Sequence, residues 1–209
     1  MKSKPIYCIF KRAFDIIAST LALLMLFPFL LVIALIIKID SKGPIFFKQK
    51  RIGQHKRFFY ILKFRSMYVD TPSDSPTHQL ADAKTHITKV GKFIRKASID
   101  ELPQLLNILS GKMSFVGPRP ALWNQEDLVL ERDKYYANDV KPGLTGLAQI
   151  SGRDELEIPV KAKIDGDYVS KRSFFYDIYI IILTIFKTLK HDGVVDGNSD
   201  KIVSKNKKE

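Results

Sequence analysis

Two adjacent acids, Asp100 and Glu101 in the segment SIDELPQ, are the side chains of this chain best suited to covalent chemistry. A carboxylate can attack phosphorus and carry a phosphoryl group covalently, while a neighbouring carboxylate binds magnesium. Backbone amides at a helix N-terminus would favour the charged carboxylate and could hold phosphate oxygens. A structural role competes with this one. Ser98 and Glu101 have the spacing of a capping box, in which the Glu reaches back to the amide of the cap residue. Acids in a first turn also stabilise a helix through its dipole. Spacing alone leaves both roles open.

Cations recur around the pair in sequence. Lys63 and Arg65 close the run ILKFRSM, Arg95 and Lys96 precede the acids, and Arg153 follows a glycine-containing turn. Arg119 lies between Pro118 and Pro120, which fix the local backbone and limit where its guanidinium can go. Guanidinium groups suit bidentate phosphate contacts, and a diphosphate needs several positive partners. Singly, each is equally a solvated or headgroup-facing charge. Other chemistries are excluded. Cys8 is the only cysteine, so there is no internal disulfide and no cysteine-based zinc site. His55, His78, His86 and His191 lack metal-ligand spacing, and no Ser-His-Asp arrangement can be argued. Neither a Walker motif nor G-x-G-x-x-G occurs.

The elements that would position these groups begin with an apolar run. Residues 16–37 carry no charge, and about 20 such residues suffice to cross a bilayer. A cleavable signal would be shorter and followed by small residues. Pro28 interrupts the run, and basic residues flank it: Lys11 and Arg12 before, then nine Lys or Arg against the single acid Asp40 over residues 38–65. The positive-inside tendency pulls both ends to one face, which a helix broken at Pro28 would satisfy. A mildly kinked spanning helix also tolerates proline. Further on, residues 45–50 and 58–64 read as strands around a basic turn, and residues 70–88 as a polar surface loop. A helix is expected over residues 99–109, capped by Ser98 and stopped at Gly111, with another over residues 126–136. The segments GPRP and PGLTGLAQISGR read as rigid turns. An apolar helix over residues 174–189 is cut by Asp177 and Lys187, too short between them to span, and suits either the interface or a core.

The chain has 209 residues and a formal net charge of +12, so an anionic partner is expected: nucleic acid, lipid headgroups or a phosphorylated small molecule. The segments FKRAFDIIAS, GPIFFKQKRIG, FYILKFRSM, SIDELPQLLNILSGKMSFVGPRP and KPGLTGLAQISGR, in this order, resemble the bacterial sugar transferases, small monotopic phosphoglycosyl transferases. A later IDGDYV is similar to that family's Asp-x-x-Tyr-Val pattern, and the resemblance covers about residues 9–190.

The resemblance implies a small mixed α/β membrane-associated domain with a re-entrant helix hairpin and interfacial amphipathic helices. Residues 1–42 would insert, residues 43–191 would form the catalytic domain on the cytoplasmic face of the inner membrane, and residues 192–209 would be a polar tail. It implies transfer of a sugar-1-phosphate from a UDP-sugar to undecaprenyl phosphate, with release of UMP. Asp100 would be the nucleophile, Glu101 the magnesium ligand, and Lys63, Arg95, Arg119, Arg153 and Asp165 the polar groups around the substrate phosphates. Anionic lipid would be a partner and nucleic acid would not. Two positions depart from the family pattern: Phe27 precedes Pro28 where Ser is common, and Asp167 stands where an apolar or aromatic residue is expected. A basic, membrane-anchored binding protein without activity accounts for the charge and the anchor. It leaves the ordered motif series without a reason.

Overall fold

The computed structural model describes residues 4–71, 85–152 and 156–189. Most of the polar loop expected over residues 70–88, and the whole tail over residues 192–209, lie outside the described residues.

The apolar run belongs to one long helix, α1 (Pro5–Asp40), whose backbone stays helical through Pro28. Pro5 sits in its first turn, where a missing N–H leaves nothing unsatisfied. Asp15, Ser19, Ile33 and Ile37 are buried, and Ala22, Leu26 and Leu30 between them pack on the core, so a stripe at three- and four-residue spacing faces the rest of the protein. The other side exposes Ile17, Leu21, Leu24, Met25, Val32 and Leu35. The helix is apolar all round because one side meets protein core and the other is left bare. By length and composition it is able to cross a membrane.

Both ends of α1 are fastened to the same domain. At the start, the Lys4 ammonium donates to the Arg172 carbonyl (2.8 Å), and Lys11 pairs with buried Asp177 (2.6 Å). Arg12 donates to the carbonyls of Ile108 and Leu109. At the far end, the Arg65 guanidinium is buried and donates to the carbonyl of Ile37 in the last turn and to those of Ser41 and Lys42 just beyond it. Arg65 is therefore a cap for α1.

Strands β1 (Phe46–Ile52) and β2 (Phe58–Phe64) form the expected antiparallel hairpin, pairing Phe46 with Phe64 and Ile52 with Phe58. Alternation puts Phe59, Ile61 and Lys63 on one face, and the first two join Leu105, Ile108 and Met113 in a core cluster under α1. Lys63 is thus carried inward by strand parity. Helix α2 (Lys89–Lys96) starts at Thr88, whose hydroxyl accepts from the Gly91 amide (2.9 Å). Helix α3 (Gln104–Leu109) is clamped to β2 by Asn107, which accepts from the Leu62 amide and donates to the Tyr60 carbonyl, both at 2.9 Å. Gly111 follows in the left-handed region (φ +79°), the expected stop.

The segments read as rigid turns are laced together. β3 (Ser114–Val116) runs parallel to β4 (Gly143–Thr145), so PGLTGLAQISGR contains a strand and then a short helix, α5 (Leu147–Ser151). The Gly117 amide donates to the Thr145 carbonyl and the Gly143 amide to the Pro118 carbonyl, each at 2.9 Å. A Cβ on Gly143 would lie 2.1 Å from the Gly117 nitrogen. Gly143→Ala is therefore expected to destabilise the fold by about 1–3 kcal/mol, as overpacking does. Thermal unfolding of the detergent-solubilised protein measures this, and an unchanged midpoint would contradict such close approach.

Helix α4 (Glu126–Asp133) is two turns long, and α6 (Ile158–Lys171) crosses it where Gly166 lets Tyr135 approach; a Cβ there would meet the Tyr135 Cβ at 2.4 Å. Helix α7 (Phe174–Leu189) matches the expected boundaries. It buries Asp177 and Ile180 and exposes Phe175, Tyr179, Ile182 and Phe186. The class is mixed helix and sheet, as expected, with two small sheets among the described residues.

Candidate active site

The local chain around the acid pair is not the capped helix that Ser98 suggested. Ile99–Glu101 form a single tight 3₁₀ turn, and the α-helix begins only at Gln104, after Pro103. Ser98 lies in the left-handed region (φ 55°) and its hydroxyl caps nothing. A non-glycine residue in that region stores strain of the kind found where a side chain must be aimed. The capping-box expectation fails for a specific reason: the Glu101 carboxylate has better partners than an amide. Its Oε1 accepts from the Lys63 ammonium at 2.7 Å and from the Arg119 guanidinium at 3.1 Å.

Each partner is delivered by a different part of the fold. Lys63 comes from the inward face of β2. Arg119 comes from the turn after β3, which is held by the β4 ladder on one side and by Arg51 on the other. Arg51 donates to the Pro120 carbonyl (3.0 Å), while the Ile52 amide donates to that of Ala121 (2.9 Å).

Asp100 is buried, at 7% exposure. Burial pushes its carboxyl up to about 6; Lys63 opposes the rise, Glu101 adds to it, and Arg95 and Arg119 oppose it. Burial also acts on Glu101, but Lys63 and Arg119 outweigh it and hold that carboxyl well below the usual range. Adjacent acids thus differ in role: Glu101 is a fixed anion in a cationic cradle, and Asp100 is a poorly solvated carboxylate that makes no direct ion pair among the described residues.

A cavity of about 380 Å³ opens beside the pair. Its lining includes Ser98, Glu101 and Arg119, with Thr145, Gln149, and Ile181 and Ile185 of α7. The structure brings together Asp100, Glu101, Lys63, Arg95 and Arg119. Asp165 does not join them: it is buried between α6 and α4, where its Oδ2 accepts from Arg132 Nε (2.8 Å) and Nη2 (2.6 Å). Tyr168 of the same segment hydrogen-bonds Asp177 (2.9 Å), and Asp167 is exposed. Arg153 lies outside the described residues. Sequence reading overlooked Gln149, whose only signal was its place in a glycine-rich segment.

Comparisons with known proteins give the family of the chain. The family model described as bacterial sugar transferase matches residues 6–191. The undecaprenyl-phosphate glucose phosphotransferase of Komagataeibacter xylinus is 44% identical over 185 residues, covering 84% of this chain and 35% of that protein. The UDP-glucose:undecaprenyl-phosphate glucose-1-phosphate transferase of Escherichia coli (strain K12) is 42% identical, covering 85% of this chain and 39% of the other. The uncharacterized sugar transferase EpsL of Bacillus subtilis (strain 168) is 41% identical, covering 91% and 92%. The chain therefore spans little more than a third of the first two relatives and nearly all of the third.

Proposed function

Because this chain belongs to the bacterial sugar transferase family and is an enzyme, we propose that it moves a sugar-1-phosphate from a UDP-sugar onto undecaprenyl phosphate and releases UMP. This would be the initiating step of glycoconjugate, capsule or exopolysaccharide assembly. The observation that carries the reading is the partner choice of Glu101. An acid pair that only capped a helix would reach back to Ser98, whereas Glu101 meets Lys63 and Arg119 and lines a cavity.

In the proposed cycle an Asp100 carboxylate oxygen attacks the sugar-bearing phosphorus. The new P–O bond forms as the bond to the bridging oxygen breaks, and UMP leaves with that electron pair. The phosphosugar rests on Asp100 as a mixed anhydride. A phosphate oxygen of undecaprenyl phosphate then attacks the same phosphorus and returns the carboxylate. Lys63, Arg95 and Arg119 balance the diphosphate charge, and Arg153 is assigned to the same task from the family pattern alone. Asp165 acts through the fold.

The donor set fits magnesium, which commonly takes one or two carboxylates and completes its shell with substrate phosphates and water. Glu101 is the assigned ligand, with Asp100 beside it. Among the described residues no cluster of three or more His, Cys, Asp or Glu is present, and the diphosphate and water would complete the shell. When bound, the ion would neutralise charge on the diphosphate.

We read α1 as bending at Pro28 when membrane-bound, so that it enters and leaves by one leaflet. Support comes from its attachments: one domain holds both Lys4 and the carbonyl of Ile37. A helix of 36 residues spans roughly 54 Å if straight, and a domain with a buried ion pair cannot follow it through hydrocarbon. The exposed Phe175, Tyr179 and Phe186 of α7 would lie at headgroup depth. The cavity wall formed by α7 would then open toward the acceptor lipid. Cytosolic nucleotide-sugars put the site on the cytoplasmic face of the inner membrane, where a charge of +12 favours anionic lipid.

Release of UMP from a panel of UDP-sugars, with and without undecaprenyl phosphate, tests the reading; lipid-stimulated release identifies the donor. The same assay gives a pH expectation. Because burial raises the Asp100 carboxyl to about 6, the nucleophilic anion is depleted as pH falls through that value. We expect kcat/KM to be level above about pH 7 and to fall about tenfold per unit below pH 6. An acid limb near pH 4 would mean a solvated carboxyl.

A further inference from the structure

The cavity contains a polar side chain that the proposed mechanism does not use. Gln149 of α5 lines the same cavity as Glu101 and Arg119. Both its Oε1 and its Nε2 are shielded from water and lack a hydrogen-bond partner among the described residues. Its polar neighbours are satisfied. The hydroxyls of Thr145 and Thr184 meet at 2.7 Å, that of Ser151 donates to the Leu147 carbonyl (2.8 Å), and Lys187 donates to the carbonyl of Ile150. Gly146 leaves room for the amide, since a Cβ there would lie 2.7 Å from Oε1. A buried amide with both ends unpaired is unfavourable unless an incoming group supplies partners.

The chemistry of a primary carboxamide narrows what that group can be. Its N–H and C=O lie side by side, so it is matched in one plane by a ligand with an adjacent acceptor and donor. Phosphate offers acceptors only, and would leave Oε1 without a donor. A secondary acetamide has its N–H and C=O on opposite sides and can use one at a time. The imide edge of uracil, N3–H beside a ring carbonyl, meets both atoms together. The rest of the cavity suits the rest of such a ligand: Phe115, Leu144 and Ile150 offer apolar surface for a ring, and Arg119 stands where the diphosphate would lie. A volume of about 380 Å³ is ample for a nucleotide.

We propose that Gln149, its amide turned out into the cavity, is the specificity residue that reads the uracil base of the donor, pairing Oε1 with N3–H and Nε2 with the adjacent carbonyl. This rests on the transferase reading above. The test is titration calorimetry of UMP and of 3-methyl-UMP, in which N3 carries no hydrogen, into the detergent-solubilised full chain with magnesium. Wild type should bind 3-methyl-UMP about 10- to 100-fold more weakly than UMP, as expected when buried polar groups are left unpaired. Gln149→Leu should bind UMP that much more weakly and no longer distinguish the two nucleotides. If wild type binds both equally, the inference fails without reference to any variant. If Gln149→Leu keeps full affinity and discrimination, it fails as well. Wild type that binds no UMP and releases none from any UDP-sugar would overturn the transferase reading, and this inference with it.

Discussion

Asp100→Asn should lower UMP release by at least about 1,000-fold while leaving the fold intact, because no neighbour can take over as nucleophile. Glu101 is adjacent, but its carboxylate is tied to Lys63 and Arg119. The stability side of the experiment separates this role from a structural one. An acid that served the helix dipole would cost a few tenths of a kcal/mol up to about 1 when neutralised. Asp100 has the opposite sign. Burial raises its folded-state pKa to about 6, above that of the unfolded chain. The folded state therefore binds the extra proton, and stability falls as pH rises through that window. Removing the charge should leave the unfolding midpoint at pH 8 unchanged or higher. Inactivity together with an undiminished midpoint identifies a functional carboxylate; an active Asn variant would remove Asp100 from the chemistry.

The largest stability effect should come from Asp165→Asn. It leaves the Arg132 guanidinium, 3% exposed, without its counter-ion. Breaking a buried pair on one side costs about 3–5 kcal/mol, or a fall on the order of 10 °C in a chain of this size. The cost belongs to the orphaned charge. Burial outweighs Arg132 and pushes the Asp165 carboxyl up, so the pair is itself held against a desolvation penalty. The double variant Asp165→Leu with Arg132→Met should then recover within about 1 kcal/mol of wild type, or exceed it. Recovery of UMP release along with stability would fix Asp165 as a staple between α4 and α6. Recovery of stability without activity would return it to the substrate.

Sequence carried the hairpin, α7 and the stop at Gly111, because alternation, an apolar run and a glycine are local signals. Lys63, Arg119 and the acid pair were legible as chemistry by type, and the structure converges them from three separate segments. What sequence could not decide was which partner Glu101 takes. The capping box and the cationic cradle use the same residue, and only the approach of β2 and of the Pro118–Pro120 turn selects one. β4 was missed because three residues are too few for a period-two pattern, and its ladder partner lies across the chain. α6 was obscured by Gly166, a poor helix residue that the packing of Tyr135 requires. Asp165 lies away from the acid pair for a related reason: a motif names a residue without saying which way its helix turns it.

The fastening of Lys11 to Asp177 also sets an order of assembly. These residues stand 166 positions apart, and at about 5–20 residues per second α1 leaves the ribosome on the order of ten seconds before Asp177 is synthesised. For the first part of that interval, before residues 59–113 are made, its inward stripe has no protein to cover it. On the proposed membrane reading lipid is the available cover, so insertion would come before tertiary folding, and the nascent chain would complete its globular part against a helix already seated in the bilayer.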